Sequence, residues 1–425
     1  MKIAVVGTGI AGNVAAYHLS KEHDITVFEA DDHIGGHTHT HDIEWQGRQF
    51  AIDTGFIVFN YKTYPNFIRL LDELGVEVQA STMSFSARCE ESDFEYSGSS
   101  LNSLFAQRSN LLRPKFYRML REIMRFNREA LALMDSGDDQ LTLGEYLKRG
   151  HYHDEFVRYY IIPMGSAIWS TDPHLMYRFP ARYFIRFFYN HGLLNITDRP
   201  TWYVIKGGSR EYVKRLTAPF TDRIRLNTPV EWIRRSNQGV LIKARNSDVE
   251  RFDSVFLACH SDQALDMLAD ASPLEKRILG AIPYKKNEVV LHTDESMLPR
   301  RKLAWSSWNA HVSPADTQRA SLTYNMNILQ SLDAPVQFCV TLNNTQGVDN
   351  SKIIKRMTYH HPIYTPDGVL QQARQSEING IRHTYFCGAY WRHGFHEDGV
   401  VSALTALEDF HRREGYAKLP LRRVG

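Results

Sequence analysis

The sequence predicts an α/β fold in two domains, and three observations carry that expectation. Lys2–Val6 is a short apolar run ahead of Gly7-Thr8-Gly9-Ile10-Ala11-Gly12, with helical spacing over the residues that follow. A second run, Asp24–Phe28, ends on an acid, Glu29. The chain of 425 residues is also longer than one hydrophobic core usually serves. Strand, glycine turn, helix and strand make the pattern of a Rossmann-like unit on a parallel sheet, whose strands are buried on both faces.

Each glycine of the turn has a physical reason. Gly7 permits the tight turn, Gly9 lets backbone N–H groups approach a pyrophosphate, and Gly12 lets helix and sheet pack closely. The positive end of the helix then faces the phosphates. Glu29 can accept from both ribose hydroxyls, which argues against a 2′-phosphate and so against NADP. No second GxGxxG follows a strand, so no separate pyridine-nucleotide site is expected.

With 43% hydrophobic and 23% charged residues the chain reads as an ordinary globular protein. A net charge of +2 gives no reason to expect nucleic acid as a partner. Cys89, Cys259, Cys339 and Cys387 lie far apart, which fits neither a zinc site nor a disulfide framework and suits a reducing cytoplasm. No apolar run reaches the ~18 residues of a membrane-spanning helix. The expected location is cytoplasmic, with a peripheral place at the inner membrane face as an addition.

Glu29-Ala30 continues to Gly35-Gly36-His37. Here the sequence resembles the flavin amine oxidoreductase superfamily, which includes monoamine oxidases, polyamine oxidases, protoporphyrinogen oxidase and carotenoid desaturases. The resemblance implies noncovalent FAD, a Rossmann-like FAD-binding domain and an inserted α+β substrate domain. It assigns Ile10, Ala11, Ala30, Gly36, His37, Thr38 and Gly55 to the cofactor, beside Gly7, Gly9, Gly12 and Glu29. Family members usually carry Arg after the paired glycines, whereas this chain has His37, so charge at the pyrophosphate becomes pH-dependent or gives way to neutral hydrogen bonding. His37, His39 and His41 fall on one face of an extended segment. No carboxylate or cysteine completes a metal set, so no metal is assigned.

Further along, Gly207-Gly208-Ser209 precedes a helical stretch and resembles the turn leading back into the FAD domain. Thr228–Val230 and the run from Ser254 resemble the segment where Val230 meets the adenine. The expected division places 1–80, 201–280 and 356–425 in the FAD domain, and 81–200 and 281–355 in the substrate domain. Within the latter, Ser103–Met134 is helical in pattern and carries seven Lys/Arg. Tyr177–Tyr189 sets Arg178, Arg182 and Arg186 four apart, on one helical face, among phenylalanines. These stretches read either as solvated basic faces over an aromatic core or as a surface docking on anionic lipid.

Near the C-terminus a strand-like run ends at Gly388, and Gly394-Phe395-His396-Glu397-Asp398-Gly399 leads into an apolar helix. In the resembling family this helix points its N-terminus at the flavin ring, where it stabilises the negative charge of the reduced form. Gly388, Glu397, Asp398, Gly399 and Val400 are thereby assigned to the cofactor. Phe395 matches one position of the family's aromatic cage, with Tyr359 or His361 approximating the other. Tyr390, His393, His396 and Glu397 are acid/base candidates near the ring, His396 on the substrate side. The family's lysine near the flavin falls at Asn287, with Lys285 and Lys286 adjacent.

Segments such as Asn325–Gln330 and Val340–Asn343 resemble a bacterial branch often encoded beside cyclopropane-fatty-acid synthase-like methyltransferases. That resemblance implies an apolar, fatty-acyl or lipid-like substrate that loses hydride, electrons passing to oxygen or another acceptor, and a lipid methyltransferase as partner. The alternatives are an amine or amino-acid oxidase releasing peroxide, and an FAD-containing lipid-binding protein without turnover.

Overall fold

Lys2–Val6 is the middle strand of a five-stranded, all-parallel sheet, and Ile3, Ala4 and Val5 are fully buried in it. This arrangement comes from a computed structural model that describes residues 1–90, 92–195, 199–312 and 321–415. Residues 313–320 and 416–425 of the expected division therefore lie outside the described residues. The strand order is Ile224–Arg225, Asp24–Phe28, Lys2–Val6, Ser254–Leu257, Thr384–Phe386. The chain leaves the central strand for Asp24–Phe28 on one side and returns much later as Ser254–Leu257 on the other. A crevice opens at such a switch point, at the carboxyl ends of the strands, and Gly7 is the first residue in it.

Above the sheet, the helices Ile10–Leu19, Arg210–Thr217 and His396–Glu414 bury Val14, Ala15, Leu216, Leu404 and Leu407 in one cluster. Below it, an antiparallel meander over Val230–Ser236, Gly239–Ala244 and Val249–Phe252 packs Ile233, Val240 and Ile242 against Ala4, Val255 and Leu257. The Gly207-Gly208 turn leads into the helix Arg210–Thr217, as expected. Gly208 has φ +93°, and a Cβ there would sit 2.5 Å from Thr40 Cγ2.

A second, seven-stranded sheet runs Ile353–Pro362, Tyr284–His292, Cys339–Leu342, Ser321–Asn325, Trp308–Val312, Phe85–Cys89, Phe94–Ser97. Its one parallel pair is Phe85–Cys89 with Trp308–Val312. Opposite residues of an antiparallel ladder share a face. Lys285 faces His361 and Asn287 faces Tyr359, so these four lie on one side while Lys286 lies on the other.

Helices Pro114–Glu129, Leu143–Arg149, Ile162–Trp169 and Ala181–Asn190 bury Phe126, Phe156, Phe179, Phe184 and Phe188 in a core of their own. Both basic stretches are broken where the sequence pattern read them as continuous. Ser103–Met134 divides into Leu101–Leu104, a 3₁₀ turn Arg108–Leu112, and helices Pro114–Glu129 and Leu131–Met134. Tyr177–Tyr189 is helical only from Ala181. Pro114 and Pro180 each stand at a helix start, since proline lacks the N–H that an earlier turn would need. Arg178 consequently precedes the helix. Arg182 donates to the Met134 carbonyl at 3.0 Å and pairs with Asp139 at 2.7 Å, so the three arginines form no common free face. Among the described residues, no helix is long and apolar enough to cross a membrane.

Candidate active site

The glycine turn has the shape its sequence implies. A Cβ on Gly12 would run into the Gly7 carbonyl oxygen, so helix and strand close to a distance only glycine allows. Gly9 is different. Nothing lies within 4 Å of the position its Cβ would take, which leaves open space over the turn. Gly36, at φ +58°, comes so near that its Cβ would stand 3.0 Å from Gly9 Cα. Gly55 closes on the His37 carbonyl in the same way. Ile10 and Ala11 are buried at the start of the helix, and Ala30 is exposed just past Glu29.

Glu29 lies at the carboxyl end of its strand and is buried. One carboxylate oxygen accepts from Thr8 N at 2.9 Å and from the Thr8 hydroxyl, and the other accepts from Asp31 N at 2.9 Å. Each oxygen has two acceptor sites, so the second keeps one for a ribose hydroxyl. Thr228 N donates to the Glu29 carbonyl at 2.8 Å, setting the segment that leads to Val230 beside this acid. The Thr8 hydroxyl also accepts from Gly35 N at 3.2 Å, tying the second glycine pair to the first.

His37 is part-buried, and its Nε2 is shielded from solvent without a hydrogen-bond partner. Its ring lies 5.2 Å from Tyr359, 5.3 Å from His361 and 6.2 Å from His260. Burial, reinforced by neighbouring His360 and His33, pushes its pKa down to about 4. The imidazole is therefore neutral at pH 7 and offers one unused nitrogen. Tyr359, expected at the substrate, instead hydrogen-bonds Thr54 at 2.7 Å and His39 at 3.1 Å within this histidine group. His361 Nδ1 lies 3.2 Å from the Asn287 amide nitrogen, and Lys285 pairs with Asp172.

The closing helix His396–Glu414 begins against the first helix, and a Cβ on Gly399 would stand 2.5 Å from Ile10 Cγ2. Val400 is buried beside it. Three residues at or ahead of this start are not placed as the sequence suggested. Glu397, expected to face the cofactor, accepts from Asn66 N at 3.1 Å, Asn66 Nδ2 at 2.6 Å and Phe67 N at 2.9 Å. It caps the helix Pro65–Glu73, whose first N–H groups have no partner of their own. His396, expected on the substrate side, has Nε2 2.9 Å from both the Thr38 and the Tyr212 hydroxyls and stacks on Phe56 at 3.4 Å. It is closed in by protein and positions Thr38. Tyr390 is buried under the sheet against Gly388 and Trp391, because the turn Ala389–Trp391 directs its rings inward.

Asp398 accepts from Phe395 N at 2.9 Å, and burial raises its pKa to about 7 despite Arg392 nearby. Phe395 packs against both the sheet core and the helical core, stacking on Phe187 at 5.0 Å. From Phe187 a circuit of rings runs through Trp169, Phe179, Tyr364, Tyr183 and His393 and returns to Phe187, with centroids 4.0–5.7 Å apart. Gly394, at φ +93°, lets the chain pass where a Cβ would sit 2.5 Å from the Tyr364 hydroxyl. His393 is part-buried and its Nδ1 has no hydrogen-bond partner. Burial holds its pKa well below the ordinary range.

Sequence reasoning missed Thr8, Asn66 and Tyr212. Thr8 is a variable position of the glycine motif, and the partners of Asn66 and Tyr212 lie 331 and 184 residues away. The open space over Gly9, the spare acceptor of Glu29, the unpartnered His37 Nε2 and the two converging helix starts together fit FAD.

Comparison with known proteins agrees. The family described as flavin containing amine oxidoreductase matches residues 10–287, well over half the chain. Among solved structures, cyclohexylamine oxidase from Brevibacterium oxydans IH-35A is similar at TM-score 0.71 and 16% identity, over 97% of this chain and 99% of that one. Putrescine oxidase bound to putrescine gives 0.68 and 14%, over 97% and 100%. A CLA-producing fatty acid isomerase from P. acnes gives 0.66 and 17%, over 97% and 98%. No curated protein matches the chain significantly. The chain belongs to the flavin containing amine oxidoreductase family and is an FAD-dependent oxidoreductase.

Proposed function

We propose that the enzyme dehydrogenates a carbon–carbon unit of an apolar, acyl-chain or lipid-like substrate, with electrons passing on to oxygen or another acceptor. The observation that carries this reading is the aromatic circuit behind Phe395, where the surrounding carboxylates are already engaged. Asp398 is held by the Phe395 N–H, and Asp172, just after Trp169 in the chain, is paired with Lys285. An ammonium group packed against these rings would meet carboxylates that already have partners, Asp172 keeping only Oδ1 without a hydrogen bond, and the rings would not replace its hydration. An alkyl chain would gain roughly 0.8 kcal/mol per buried methylene.

Bound FAD supplies the two-electron oxidant. The chain's own residues hold and orient it. With FAD bound, the N–H groups around Gly9 and the unused His37 Nε2 would hold the pyrophosphate, Glu29 would hold the ribose, and the start of the closing helix would stabilise the ring end. Phe395 and Phe187, stacked at 5.0 Å, would keep water from the reacting carbon. Hydride leaving one C–H bond with both its electrons would be taken up by the bound FAD, and the proton released from the neighbouring carbon would go to the unpartnered His393 Nδ1. Noncovalent FAD accords with Cys387 and Cys259, whose thiols burial keeps protonated by raising their pKa values.

An amine or amino-acid oxidase is the second reading, favoured by Lys285 sharing a strand face with Asn287 and Tyr359. Anaerobic mixing of the purified protein with a panel of amines and a panel of acyl lipids separates the two. Loss of oxidised-flavin absorbance with acyl lipids alone supports the proposal, and bleaching by amines alone overturns it. Lipid binding with no bleaching would make the protein a flavin-containing lipid binder.

A further inference from the structure

The helix Pro114–Glu129 turns Phe116, Met119 and Phe126 into the protein. Its opposite side carries Tyr117, Arg121, Met124 and Arg128, and the next short helix adds Leu131. Tyr117, Met124 and Leu131 are seven residues apart, as are Arg121 and Arg128, so both series follow one side of the helix. All three apolar members are exposed, Met124 at 53%. At the helix start the stripe continues into Leu111 and Leu112, the latter 88% exposed, and the Tyr117 hydroxyl donates to the Leu111 carbonyl at 3.1 Å. Isolated exposed apolar side chains are ordinary, but a row of them interleaved with arginines is not.

Charge decides what would cover this row. Glu122 is buried and paired with Arg125, and Glu129 is taken up by Arg125 and Arg128, so the stripe itself shows no acid. Arg121 and Lys115 make no ion pair among the described residues. The surface is a convex helix about 24 Å long, not a groove, and it alternates apolar tips with cations. An interfacial helix has this composition, with apolar side chains entering the acyl boundary and arginines meeting phosphates.

We propose that the face formed by Leu111, Leu112, Tyr117, Arg121, Met124 and Arg128 docks the enzyme on an anionic lipid leaflet. The surface alone carries this, independently of the substrate reading, since an enzyme acting on amines could dock equally well.

Flotation of the FAD-loaded protein with vesicles of phosphatidylcholine, with and without phosphatidylglycerol, tests it. Binding is expected only to the anionic vesicles and falls at high salt. Arg121→Glu with Arg128→Glu lowers it at least about tenfold, from the attraction of each cation to an anionic leaflet. Leu111→Ser with Leu112→Ser also lowers it, while Arg178→Glu with Arg186→Glu leaves it in place. Flavin absorbance and thermal unfolding of each variant establish that the fold is retained. Absence of binding to anionic vesicles, binding indifferent to lipid charge, or binding unchanged in both the arginine and the leucine pairs overturns the proposal.

Discussion

Glu29 holds the glycine turn together before any cofactor arrives, because Thr8 donates to it through both backbone and side chain. Replacing it therefore removes a ribose acceptor and loosens the turn. Glu29→Ala should weaken FAD binding by about one to two decades, the value of one charge-assisted hydrogen bond. Exposed Glu44→Ala should leave it unchanged. Fluorescence titration of apoprotein with FAD measures both, and equal affinities would remove Glu29 from the site. Glu29 and the glycines were legible in the sequence because their roles depend on backbone conformation and short spacing. The placements of His396 and Glu397 were not. Their partners are set by Thr38, Tyr212, Asn66 and Phe67, residues that meet them only after the chain has folded.

At the scale of elements, two helix starts share one carboxylate. Glu397 belongs to the first turn of the closing helix yet caps Pro65–Glu73, so it ties the cofactor end of one to the start of the other. Glu397→Ala should destabilise the apoprotein by about 2 kcal/mol, from a lost cap and a lost charge-assisted bond. Glu397→Gln should recover part of this. Denaturant unfolding reads the difference, and an effect within ~0.5 kcal/mol would return Glu397 to the ordinary surface range. Strands and the helices around the nucleotide sheet followed from apolar runs and glycines. The basic helices did not, because periodicity continued through Pro114 and Pro180 while the missing N–H groups ended the preceding turns.

Across the whole molecule, imidazoles outnumber the carboxylates that oppose them. His191 and His396 are buried, His37, His260, His361 and His393 are part-buried, and in all six burial lowers the pKa. Below pH ~6.5 the unfolded chain takes up protons that these groups refuse in the native state, so stability falls with pH through that window. Asp53 and Asp398, raised to about 6 and about 7, and Glu397, also raised by burial, act in the opposite direction but are fewer. Apoprotein stability should drop steeply from pH 6.5 toward 4. A flat profile across that window would mean the histidines are solvated.

The claim on which the rest depends is that the two ends of the chain close around one FAD, and Gly9 tests it most directly. Its φ of −63° and ψ of 176° suit any residue, and its Cβ position is empty. Gly9→Val should therefore leave apoprotein unfolding unchanged while weakening FAD binding at least about 100-fold, equivalent to ~2.7 kcal/mol. FAD affinity equal to that of the unsubstituted protein would contradict the account, because the open space over Gly9 would then not be where the pyrophosphate lies.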